Sequence, residues 1–146
     1  MKIVFVTLFY PPTHFGGTET YTHGLAKNLQ ARGHQVQVVC VEDWGAGSAY
    51  WNGVTNDVFD GVPVRRVHLN WMKAPNVNDY LFNNPVVASH FATWLDEWKP
   101  DIVHVTSCQT LSASVIVTAK RAGIPAPLLA YVLQQFAVAR NLSGSK

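Results

Sequence analysis

Cysteine and charge are scarce in this sequence, and no apolar run is long. The two cysteines among 146 residues, Cys40 and Cys108, make neither a disulfide framework nor a zinc site. Cys40 closes an apolar stretch and reads as a buried thiol. Charged side chains make up 14% of the chain and the net charge is +2, too little to imply a nucleic-acid partner. The first apolar run, residues 3–9, is too short to span a membrane and lacks a signal peptide's small-residue cleavage site. Pro11-Pro12 breaks it early. The expectation is a cytoplasmic protein. A hydrophobic content of 48% excludes disorder, and the length suits one domain with its own core.

Two phosphate-loop signatures are also missing. Gly16 is followed directly by Gly17, with no further glycine until Gly24, so the G-x-G-x-x-G dinucleotide fingerprint is absent. Gly17-Thr18-Glu19 lacks the lysine of a P-loop. What stands there is an apolar run, a turn (Pro11-Pro12-Thr13-His14-Phe15-Gly16-Gly17), and a helical pattern with Tyr21, Leu25 and Leu29 at i, i+4 and i+8. This reads as a buried strand, a glycine turn and an amphipathic helix. The end of a first strand in an open α/β sheet faces the ligand crevice. Bare N–H groups at a helix start suit an anion, most commonly a phosphate. The glycines either receive such a group or merely turn the chain into its helix.

The remaining chain alternates strands with helices. Thr18 caps the first helix, Glu19 suits its dipole, and Arg32-Gly33 ends it. A second strand spans residues 35–41, and the connection between the two should be a right-handed βαβ unit. Residues 42–53 form a loop. Residues 54–59 and 62–69 flank Asp60-Gly61, a strong hairpin signal, with residues 63–69 as the third sheet strand. Arg65, Arg66 and His68 read as a solvated face on an edge strand. Residues 70–84 are irregular, their Trp71, Met72 and Tyr80 packing down on the domain. Helices are expected over 85–98 and 110–122, strands over 101–105 and 126–132, a helical stretch over 132–140 and a frayed end at 141–146. Alternation of this kind predicts an α/β fold: a Rossmann-like parallel sheet with helices on both faces.

With these elements placed, the sequence resembles a family. M-K-I-V-F-V-T-x-F-Y-P-P, then H-F-G-G-T-E, then L-A-K-N-L-Q-A-R-G-H-Q-V-Q-V-V look like the opening of family-four glycosyltransferases of the GT-B fold. K-P-D-I-V-H-V at residues 99–105 and A-G-I-P at residues 122–125 follow in matching order. The resemblance implies a retaining, metal-independent enzyme of two Rossmann-like domains. The N-terminal one holds the acceptor and the C-terminal one most of the nucleotide-sugar donor. It assigns Gly16 and Gly17 to the donor diphosphate through their backbone N–H groups. No Asp-x-Asp metal motif occurs, in agreement, and no cofactor is implied.

The chain departs from the family in two places. At 146 residues it is at most the N-terminal, acceptor-side half, without the donor domain, so this piece alone is expected to be inactive. Tyr131 stands about where the family has a histidine, and no histidine lies beyond His104, so the catalytic residue is unknown. Candidate acceptor-binding residues are His14, Glu19, Thr106 and Ser107. Glu19 alternatively only favours the helix start. His23 reads as a surface residue, His34 as structural and His104 as a satisfied core histidine. The partners implied are a nucleotide-sugar and a sugar or lipid-linked acceptor. Arg65, Arg66, Lys73, Lys120 and Arg121 permit a peripheral membrane contact. The rival readings are a non-catalytic half-domain that binds a partner or pairs as a homodimer, and a small nucleotide-binding protein of flavodoxin-like plan.

Overall fold

A computed structural model describes residues 1–128. Four strands run parallel: β1 (Lys2–Val6), β2 (Gln35–Asp43), β4 (Val62–Leu69) and β5 (Ile102–Val105). β3 (Trp51–Phe59) pairs antiparallel with β4, giving the order β3-β4-β2-β1-β5. The helices are α1 (Gly17–Ala31), the single turn α2 (Val77–Tyr80), α3 (Pro85–Trp98) and α4 (Ser114–Arg121), with a 3-10 turn at Trp71–Lys73.

Alternation along each strand sorts the side chains onto two faces. Ile3, Phe5, Val36, Val38, Cys40, Val62 and Val64 pack with Ala26, Leu25 and Leu29 of α1. Val4, Val6, Val39, Val41, Val67, Val103 and Val105 pack with Val87, Phe91, Trp94 and Leu95 of α3 and Val115 and Ala119 of α4. The parallel-dominated sheet with helices on both faces is thus the predicted class. Among the described residues no helix is long and apolar enough to cross a membrane.

Several element readings need correction. The first strand ends at Val6, not Phe9, although single backbone bonds continue the contact with β2 (Thr7 N–H to the Val39 carbonyl, and the Leu8 carbonyl accepting from Val41). The inward stripe of α1 is Thr22, Leu25, Ala26 and Leu29, while Tyr21 is half exposed. The hairpin's first arm begins at Trp51, and the irregular segment contains two short helical turns, where Trp71 and Tyr80 pack on the core but Met72 is 86% exposed. The helix expected over 110–122 begins only at Ser114, because Thr110 (φ 63°) and Ser112 (φ 74°) leave the helical region. Leu111 misled the reading: it is buried, and it lies at helical spacing from Val115 and Ala119 without being in the helix.

The basic stripe is the largest correction. β3 lies outside β4, so Arg65, Arg66 and His68 belong to an interior strand. Arg66 is buried on the α1 face, which removes it from any set of cations open to a membrane. Arg65 lies on the other face, its guanidinium 4.9 Å over the Trp94 ring. His68 sits between Asp43 and Thr55. Of the strand expected over 126–132, Leu128 bridges Val105 in parallel. Residues 129–132 of it, Tyr131 included, the helical stretch at 132–140 and the end at 141–146 lie outside the described residues.

Candidate functional site

The glycine bend leaves the carboxyl end of β1, the edge where parallel strands of α/β sheets deliver ligand-binding loops. A cis Pro11–Pro12 bond precedes it. Gly16 is the N-cap of α1, extended at φ −135° and ψ −173°, and no side chain caps the helix start. Both glycines are exposed. Their surroundings differ. A Cβ on Gly16 would lie 2.3 Å from Oε2 of Glu19, which folds back over it. A Cβ on Gly17 would meet nothing within 4 Å. That carboxylate is the mobile end of one side chain and can swing aside, so packing inside this chain requires glycine at neither position, and least at 17. Gly24 is also open, but it lies roughly 10 Å further along the helix at 1.5 Å per residue.

The other candidates surround this bend unevenly. His14 is half exposed and stacks on Phe9, ring centroids 3.9 Å apart. Phe15 points outward, 71% exposed, with its ring edge toward Phe59. Thr106 is fully buried at the end of β5, where its hydroxyl donates to the Val6 carbonyl at 3.1 Å. That hydroxyl also lies 2.9 Å from the Thr22 hydroxyl of α1. Thr106 thus ties β1, β5 and α1 together at the mouth of the sheet. Ser107 is buried beside it, its N–H 3.2 Å from the same carbonyl. Of the candidates, His14, Gly16, Gly17 and Glu19 belong to the bend and the first turn of α1, while Thr106 and Ser107 are buried at the end of β5, Thr106 meeting α1 through Thr22.

His23 is not a surface residue. Its Nδ1 lies 2.6 Å from the Tyr10 hydroxyl and its Nε2 3.0 Å from Asp60. Asp60 can only accept, so Nε2 donates to it and Nδ1 accepts the tyrosine proton. The bond from His23, aided by Lys27, holds the Asp60 carboxyl below its ordinary value. Burial, with Cys40 second, raises the Tyr10 hydroxyl above its own. Tyr10 is fully buried, so the chain Tyr10–His23–Asp60 is a strut from the bend to α1 and the β3–β4 turn. His104 likewise departs from expectation: its Nε2 is buried without a hydrogen-bond partner, and burial lowers its basicity.

Arg66 was missed as part of this region. It contacts the carbonyls of Tyr10 (3.4 Å) and Pro11 (2.6 Å), Glu42 (3.0 Å) and Asp57 (3.0 and 3.1 Å). Glu42 in turn accepts from the Thr13 hydroxyl. The signal was present in the sequence: Arg66 shares the parity of Val62 and Val64, whose face is apolar. Both thiols are inert here, since burial pushes Cys40 and Cys108 up to about 12. Among the described residues no three His, Cys, Asp or Glu side chains stand together as a metal site.

Residues 16–143 match the family model described as a glycosyl transferase 4-like domain. An uncharacterized 42.6 kDa protein in the cps region of Klebsiella pneumoniae is 28% identical over 129 residues, covering 83% of this chain and 34% of its own length. Sucrose-phosphate synthase from Thermosynechococcus elongatus matches in structure with a TM-score of 0.54 at 15% identity, over 87% of this chain and 31% of that one. At that identity the likeness speaks for the fold. The catalytic domain of starch synthase IV from Arabidopsis thaliana, bound to ADP and acarbose, has a TM-score of 0.49 at 18% identity, over 87% and 32%. The chain spans about a third of the length of the curated relative.

Proposed function

This chain belongs to the glycosyl transferase 4-like domain family, and from that membership we propose that it is the N-terminal, acceptor-side half of an enzyme transferring sugar from a nucleotide-sugar. In this reading the donor diphosphate docks on the backbone N–H groups at Gly16 and Gly17. A second domain supplies most of the donor site. His14 and Glu19 meet the acceptor at the open side of the bend, while Thr106 and Ser107 form the floor beneath it. The reaction is metal-independent and retains anomeric configuration. Leaving-group charge is then met by main-chain donors, the α1 dipole and basic side chains of the second domain.

One observation carries the reading: Gly17 is open to solvent at the start of α1 and the chain's own packing does not require it. A side chain there would stand between the amides and anything approaching them. The rival reading, a non-catalytic half-domain acting as a binding or dimerisation module, rests on Tyr131 replacing the family's histidine.

Magnitudes set the test. Two hydrogen bonds from N–H groups to a charged acceptor supply about 3–6 kcal/mol, and with the cost of association set against them the expected affinity is millimolar. Titration of the chain with UDP, GDP, ADP and inorganic pyrophosphate, followed by amide chemical shifts, should move Gly16, Gly17 and Thr18 with millimolar midpoints. No movement there would sink the docking role and leave the module. Micromolar binding of one nucleotide would instead indicate a self-contained nucleotide-binding protein.

A further inference from the structure

The bend has an unusual problem of support. Pro11 and Pro12 carry no N–H, so this part of the loop cannot be pinned by donating hydrogen bonds. Only its carbonyls can be held, and they need a donor from elsewhere. Arg66 is that donor. Its Nη2 gives a 2.6 Å bond to the Pro11 carbonyl and its Nη1 a longer one, 3.4 Å, to the Tyr10 carbonyl. Nη1 also holds Glu42, which accepts from the Thr13 hydroxyl. Three points of the approach, at 10, 11 and 13, are thus tied directly or through Glu42 to one side chain. Asp57 fixes the guanidinium itself through Nε.

Stability alone does not explain an arginine here. Its neighbours on this face are Val38, Cys40, Val62 and Val64, and apolar residues often replace buried ion pairs without loss. A lysine has one point of charge and cannot reach two carbonyls and two carboxylates in a fixed fork. We propose that Arg66 is a positioning residue: it fixes residues 10–13 from behind, so that the amides of the exposed Gly16 and Gly17 keep one spacing without side chains of their own. Its consequence for a diphosphate rests on the reading given under Proposed function.

Backbone relaxation and pyrophosphate titration of the whole chain test this, comparing wild type, Arg66→Lys and Val36→Ala. Val36 is buried on the same face beside Ile3, at the opposite end of the sheet from the bend. In Arg66→Lys the amide order parameters of residues 13–17 should fall from about 0.85 to below about 0.6 while the sheet stays rigid. The pyrophosphate midpoint should weaken about tenfold. Val36→Ala, which loosens the core generally, should leave both unchanged. Glu42→Gln keeps the arginine but removes the carboxylate that joins it to Thr13, leaving its bonds to the Tyr10 and Pro11 carbonyls, so a smaller fall at the same residues is expected, and this holds if Arg66→Lys does not fold. Order parameters at 13–17 that stay at wild-type values in both variants overturn the proposal. A wild type without any pyrophosphate response, but with the relaxation contrast intact, overturns the docking role instead and leaves the positioning of the bend standing.

Discussion

Gly16 and Gly17 differ in what a side chain would meet. At Gly16 the fold-back of Glu19 occupies the space of a side chain. At Gly17 the space is empty and the backbone is helical, so alanine should be tolerated and even favoured, by about 0.5 kcal/mol. Gly17→Ala is therefore expected to raise the urea midpoint slightly while weakening the pyrophosphate response. A loss of stability would mean that this glycine serves the fold. His104 gives a second prediction at this scale. Burial of the imidazole lowers its pKa below the ordinary 6.5. As pH drops through about 6.5, the unfolded chain takes a proton that the folded chain refuses. Stability from this residue is complete above that value and declines toward pH 5. The difference in urea midpoint between pH 7.5 and pH 5 should shrink in His104→Leu.

Among the elements, the joint between α3, α4 and the start of β3 is concentrated in one residue. Asn84 is fully buried; its Oδ1 accepts from Val87 N–H to cap α3, and its Nδ2 donates to the Tyr50 hydroxyl at 2.6 Å. Its own N–H donates to Ser114 at the head of α4. Asn84→Ala removes a cap and leaves a buried hydroxyl without its partner, so a loss of about 2–3 kcal/mol is expected in urea melts. Asn84→Ser keeps a capping oxygen and loses only the bond to Tyr50, so a smaller loss is expected. Equal losses would show that the cap matters little.

The element scale also shows what could be read in advance. β1, β2 and β5 were legible as short, mostly apolar runs set off by glycine or proline, and β4 through the Asp60-Gly61 turn before it. The bend was legible from Gly16-Gly17 and its place after the first strand. Arg66 was misread because its charge outweighed its parity with Val62 and Val64. His23 was misread because its two partners, Tyr10 and Asp60, come from other elements, and helical spacing carries no trace of them. The start of α4 was invisible: the left-handed turns at Thr110 and Ser112 are imposed by packing around Cys108 and Leu111, which tertiary structure alone supplies.

For the whole molecule, the sheet divides the interior into two separate cores, each holding one thiol. Cys40 lies in the α1 core and Cys108 in the core beneath α3 and α4. Folded, both should resist iodoacetamide at neutral pH, since burial excludes the reagent and disfavours the thiolate. If the described residues unfold as one cooperative unit, both thiols should become reactive at the same urea concentration. Separate midpoints, read by mass spectrometry, would show that one face opens before the other. The exposed bend has a consequence at this scale as well. If the amides of this bend take a diphosphate as proposed, that grip carries no information about which base or which hexose is attached to it. Discrimination between substrates would then be written in other parts of the molecule, free to diverge while the grip stays as it is.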